Sequence, residues 1–123
     1  MNNLGIDYGT KNIGLAYSVS GIITPLPPIP NDSQAITKIA QIVAEFNISK
    51  IYVGLSVGRV AVLTLKFVKS LKAMLELPIE TVEEAVSTIE ATQIYNQNRN
   101  SGKLLKKKID SVSAAVILSR VIN

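Results

Sequence analysis

Three acidic positions, Asp7, Glu84 and Asp110, carry the chemistry open to this sequence. The chain holds no cysteine and no histidine. A thiolate nucleophile, an imidazole base and a Cys/His zinc site are therefore excluded, leaving carboxylates, hydroxyls, lysines or a bound metal. Three carboxylates brought together without matching buried cations repel one another, and a divalent cation is the natural compensation. Oxygen-only ligation selects magnesium or manganese over zinc or copper. Two such ions about 4 Å apart activate a water and stabilise the leaving oxygen of a phosphodiester. Plainer readings stand beside this one. Asp7 with its glycines also suits an ordinary hairpin turn, and Asp110 also suits a helix N-cap.

Cations cluster near these acids in the sequence. Thr10 and Lys11 follow Asp7 closely, and Gly5, Gly9 and Gly14 remove side chains around it, which lets another backbone or a phosphate approach. Arg99, Lys103, Lys106, Lys107 and Lys108 form an acid-free basic run leading to Asp110. Such a run is either a solvated loop or, beside an acidic site, a holder for an anionic backbone.

The elements that must position these residues follow from periodicity and punctuation. Apolar runs Leu4 to Ile6 and Ile13 to Tyr17 flank a turn-rich centre, which predicts a hairpin with Asp7 ending its first strand. Gly21 to Thr24 predicts a third strand. Pro25, Pro27, Pro28 and Pro30 then predict its end and an extended connector. Asp32 or Ser33 is the expected N-cap of a helix with the stripe Ile36, Ile39, Ala40, Val43 and Phe46, ending near Asn47. Lys50 to Leu55 reads as a strand buried on both faces, and Ser56-Val57-Gly58-Arg59 follows at its carboxyl end, where open α/β sheets bind ligands. The next predicted helix runs from about Val62 to Leu75, with Leu65, Val68, Leu71 and Leu75 toward the core and Lys66, Lys69 and Lys72 solvated. Pro78 to Val82 is the last predicted strand, with Glu83 and Glu84 at its end. Ser87-Thr88-Ile89-Glu90 matches a capping box, predicting a helix to about Asn96 and then a loop over Asn98 to Gly102. A final helix from about Asp110 carries Val112, Ala115, Leu118, Val121 and Ile122 on its apolar face. Small residues Ser111, Ser113, Ala114 and Ala115 permit it to approach the sheet closely. Three hairpin-linked strands followed by alternating helix and strand imply a mixed sheet covered by helices. A central first strand would open the later strand ends on the side of Asp7.

The whole chain sets outer bounds. Its 123 residues suit one domain. A net charge of +4 favours a polyanionic partner. The absence of cysteine and of a signal-like start leads to a cytoplasmic expectation, and the short apolar runs predict no membrane span.

Four ordered blocks then make a resemblance. Gly5-Ile6-Asp7-Tyr8-Gly9-Thr10-Lys11-Asn12-Ile13-Gly14-Leu15-Ala16, Val53-Gly54-Leu55, Glu83-Glu84-Ala85-Val86-Ser87-Thr88-Ile89-Glu90-Ala91 and Asp110 to Leu118 resemble the successive blocks of the YqgF family. Its members are described as Holliday junction resolvases and as nucleases maturing the 5′ end of 16S ribosomal RNA. The resemblance implies an α/β, ribonuclease H-like fold, with a five-stranded mixed sheet whose first three strands are antiparallel and helices on both faces. It also implies one nuclease domain over residues 1–123, with Asp7, Glu84 and Asp110 as catalytic, metal-binding acids using Mg2+ or Mn2+. The nucleic-acid-binding candidates are Lys11, Arg59, Arg99, Lys103, Lys106, Lys107 and Lys108. Two departures stand out. The family's Asp-Glu-Arg is Glu83-Glu84-Ala85 here, losing a guanidinium near the phosphate site, and its Gly-Leu-Pro is Gly54-Leu55-Ser56. Competing readings are a non-catalytic nucleic-acid-binding or ribosome-assembly factor, and an actin-like ATPase. The ATPase reading calls for two such domains and a second Gly-rich phosphate loop, and these 123 residues offer neither that length nor that loop. Symmetric cutting of paired strands would call for a homodimer, with the Val60 to Leu65 region as either its contact or core.

Overall fold

The computed structural model describes residues 1–55, 58–83 and 113–122. Strands β1 (Asn3–Asp7), β2 (Asn12–Val19) and β3 (Ile22–Pro30) come first, then helix α1 (Ala35–Glu45), β4 (Lys50–Leu55), α2 (Arg59–Met74) and β5 (Ile79–Glu83). Residues 113–121 are helical. The sheet order is β3-β2-β1-β4-β5, with β1 central. β2 pairs antiparallel with β1 and with β3, whereas β4 lies parallel to β1 and β5 parallel to β4. The carboxyl ends of β1, β4 and β5 therefore share one edge of the sheet, as expected for a central first strand.

Alternation along the strands sorts the side chains into two layers. On one face Leu4, Ile6, Ile13, Leu15, Ile51 and Val53 meet Ala35 and Ile39 of α1 and Phe67, Val68 and Leu71 of α2. Each fully buried aliphatic side chain there contributes about 1.5–3 kcal/mol of transfer free energy. On the other face Ala16 and Tyr52 meet Ala114, Ile117 and Leu118 of the helical segment 113–121. Helices thus cover both faces. That last helix rests almost directly on β1, since a Cβ at Gly5 would lie 2.7 Å from both the Ala114 carbonyl oxygen and Leu118 Cγ. Gly5 serves the approach of a backbone, and the small buried residues Ser113 and Ala114 suit the same close contact.

Four expectations are corrected. The prolines do not end the third strand, because β3 is an edge strand and runs through to Pro30. Its register with β2 shifts by one residue between Ile13 and Leu15. That bulge switches the alternation, so that Pro25 and Pro27 before it, and Pro28 and Pro30 after it, all occupy positions where the ladder asks for no donor. At α1 the N-cap is Gln34, and Asp32 acts two residues earlier, its carboxylate accepting the Gln34 amide at 2.9 Å. α2 begins three residues sooner than its apolar periodicity implies, and its core face is rotated: Thr64, Phe67, Val68 and Leu71 are buried while Leu65 is 51% exposed. Thr64 tolerates burial because its hydroxyl donates to the Val60 carbonyl at 2.8 Å. Phe67 offers more apolar area than Leu65 and sets its ring 4.9 Å from that of Tyr8. In the last helix Ala114, Ile117 and Leu118 are the fully buried side chains, whereas Ala115 and Val121 are only partly covered.

The stripe of α1, its end near Asn47 and the bounds of β4 are as expected. Asn47 takes the left-handed conformation (φ 51°) just beyond the helix, and Asn2 Nδ2 donates to the Phe46 carbonyl at 2.7 Å. The capping box at Ser87, the helix following it, the 98–102 loop and the start of the final helix lie outside the described residues.

Candidate nucleic-acid cleavage site

Asp7 is the last residue of the central strand and is half-buried. Its register partners are Gly14 on β2 and Gly54 on β4. Side chains directly opposite one another in a sheet share a face about 5 Å apart. Asp7 is thus flanked in the sheet on both sides by positions that carry no side chain. By alternation it shares the face of Gly5, the face covered by the helical segment 113–121. The first turn of that segment touches β1 through the Ala114 carbonyl, two residues before Asp7.

The strand ends around it bring further groups to this edge. Glu83, exposed, ends β5 opposite Leu55, one step beyond the Gly54 that faces Asp7. Arg59 is the exposed first residue of α2, entered from Gly58 at φ 73°. Lys11 is exposed in the loop from β1 to β2. This loop is held on one side by Asn31: its Nδ2 donates to the Gly9 carbonyl at 2.8 Å, and its amide to the Lys11 carbonyl at 2.9 Å. Gly9 is needed there, because a Cβ would stand 2.3 Å from the Asn12 carbonyl oxygen. Glu84, Asp110, Arg99, Lys103, Lys106, Lys107 and Lys108 lie outside the described residues. Among the described residues no three acidic side chains gather into a metal-holding group. Gly14 lies beside Asp7 as the sequence implies, but Asn31 and the pairing of Gly54 with Asp7 carry no sequence signal of their own. Asn31 is 22 residues from its partner, and the Gly54 pairing depends on register.

A cavity of about 640 Å³ lies at the opposite edge, lined by Lys50, Lys72, Glu76 and Glu80 among others. Its two cations and two anions offset one another. Glu80 hydrogen-bonds the Lys50 ammonium at 2.8 Å and holds its pKa above the ordinary lysine value. Nothing in that balance favours a polyanion. No helix among the described residues is long and apolar enough to cross a membrane.

Comparison with known proteins agrees with this architecture. A protein of Desulforamulus reducens named "Putative pre-16S rRNA nuclease" is 34% identical, over 96% of this chain and 93% of its own. One of the same name from a Sulfurihydrogenibium species is 37% identical, over 94% and 85%. Among solved structures, Thermus thermophilus RuvC in complex with a Holliday junction substrate superposes with a TM-score of 0.63 at 15% identity, covering 95% of this chain and 90% of that one. The fowlpox virus Holliday junction resolvase superposes with a TM-score of 0.56 at 14% identity, covering 98% and 96%. The fold is thus ribonuclease H-like, shared with RuvC-type resolvases. The sequence model described as RuvX, Holliday junction resolvase, matches residues 1–123, and the chain belongs to that family of nucleases.

Proposed function

We propose that this protein is a divalent-metal-dependent endonuclease, one domain over residues 1–123, that hydrolyses phosphodiester bonds in precursor 16S ribosomal RNA or in a four-way DNA junction. The observation carrying the proposal is Asp7 at the end of the central strand with glycine on either side in register. A hydrated cation or a phosphate is served by neighbours without side chains, whereas a structural turn does not need them. The donor set fits a hard cation, since the chain has no thiolate or imidazole and the acids named are oxygen ligands. Chain order supports adding the other two acids: Glu84 follows directly on Glu83, the last residue of β5, and Asp110 precedes Ser113 by three residues.

In this reading Asp7, Glu84 and Asp110 hold Mg2+ or Mn2+, which when bound supplies Lewis-acid stabilisation of the phosphorane-like charge and an acidified water. Lys11 and Arg59 at the strand-end edge hold the backbone phosphates, joined by Arg99, Lys103, Lys106, Lys107 and Lys108. These contacts fix register without reading sequence, which suits a substrate recognised by shape. A junction cut on paired strands requires two copies, and Val62, Leu63 and Leu65, all exposed on α2, form the apolar surface for that contact. A cytoplasmic site of action belongs to the same proposal.

The test is cleavage of end-labelled precursor 16S RNA and of a synthetic four-way junction with magnesium, manganese or EDTA, comparing wild type with Asp7→Asn. Metal-dependent cutting that Asp7→Asn abolishes supports the proposal and names the substrate. A second reading, a binding or assembly factor that does not cut, is favoured by Ala85 standing where the family carries arginine. It predicts salt-sensitive binding of either substrate with no metal-dependent product.

A further inference from the structure

The loop that carries Lys11 is held from a distant part of the chain. Asn31, between the end of β3 and the start of α1, takes both carbonyls that bracket the loop tip, Gly9 with its side chain and Lys11 with its backbone amide. Thr10 and the Lys11 side chain, both exposed, lie between and beyond those two anchors. The peptide linking Gly9 to Thr10 is trans, so its C=O and N–H point in opposite directions. With the Gly9 oxygen bound by Asn31, the Thr10 amide hydrogen faces away from Asn31. The tight closure of Gly9 on the Asn12 carbonyl leaves the loop little freedom to take another shape.

We propose that Asn31 is a positioning residue for substrate. It holds the 8–11 loop so that the Lys11 ammonium and the outward Thr10 amide meet one backbone phosphate next to Asp7. This rests on the reading of the site given above and adds to it a residue that makes no substrate contact. A loop ordered before binding loses less conformational freedom when the phosphate arrives, and the free energy of the charge-assisted contact then appears as affinity.

The experiment is a double-mutant cycle on binding rather than cutting. Anisotropy titrations of a labelled four-way junction and of precursor 16S RNA, in EDTA and over a range of salt, compare wild type, Asn31→Ala, Lys11→Ala and the double variant. Asn31→Ala is expected to weaken binding about threefold to tenfold, the equivalent of one lost hydrogen bond. It is also expected to lower the salt slope by nearly as much as Lys11→Ala does. In the Lys11→Ala background the Asn31 substitution should cost clearly less than in wild type, the remainder being the contact of the Thr10 amide. Amide hydrogen exchange at residues 10–12 without nucleic acid should accelerate in Asn31→Ala while the thermal midpoint moves by a few degrees at most. Equal losses from Asn31→Ala in both backgrounds would overturn the proposal, because a purely structural residue acts independently of Lys11. So would unchanged binding in either single variant. A wild type that binds but does not cut when metal is added overturns the nuclease reading and leaves the cycle intact.

Discussion

Asp7 stands between two glycines in the sheet, and that arrangement turns a commonplace strand-end acid into a candidate ligand. Two substitutions probe it. Asp7→Asn keeps the shape and removes the charge, and metal-dependent cleavage should fall by about two orders of magnitude or more, the share of transition-state stabilisation a held metal supplies. Gly54→Val places a branched side chain directly beside the carboxylate. It should raise the manganese concentration needed for half-maximal cleavage about tenfold, read from titration curves with the thermal midpoint recorded alongside. Gly5 looks like part of the same cluster but acts differently. With the Ala114 carbonyl 2.7 Å from any added Cβ, Gly5→Ala forces the last helix off the sheet and should cost about 1–3 kcal/mol in urea unfolding.

At the level of elements the instructive case is α2. Leucine spacing alone nominates Leu65 for the core, yet the helix turns Thr64 and Phe67 inward instead. Phe67→Ala should therefore destabilise the protein by about 3–5 kcal/mol, whereas Leu65→Ala should change stability by about 0.5 kcal/mol or less, both measured by denaturant midpoint. The reverse ranking would mean that the helix is rotated back to its leucine stripe. β3 makes a related point. Four prolines would break a central strand, but at an edge, with a bulge to reset the alternation, they block further strand addition on that side.

For the whole molecule the governing quantity is charge against a polyanion. The excess of +4 is modest, and the described site edge contributes Lys11 and Arg59, both exposed. Binding should weaken with salt at a slope of about −0.9 for each phosphate neutralised on duplex DNA and about −0.7 on single strands. Replacing Lys11 or Arg59 by alanine should each reduce the slope by about one, uniformly across sequences, as expected of contacts that position rather than read. The opposite edge, where Lys50 is matched by Glu80, should be silent: Lys50→Ala should leave the salt slope unchanged.

Much of this was legible in one dimension. Alternating apolar runs, a glycine-rich turn after Asp7, the amphipathic stripe of α1 and the continuous apolar run of β4 specify their own secondary structure, because burial and backbone sterics act locally. The order of elements, with hairpins first and crossovers after, restricts the sheet to few topologies and puts β1 in the middle. The exclusion of thiol and imidazole chemistry follows from composition alone. Tertiary structure decided what depends on register and on partners distant in the chain. It set Gly54 beside Asp7, kept β3 running through its prolines at a free edge, turned Phe67 rather than Leu65 into the core, and brought Asn31 onto the carbonyl of Gly9. Those outcomes rest on free energies shared between segments, which no single stretch of sequence contains.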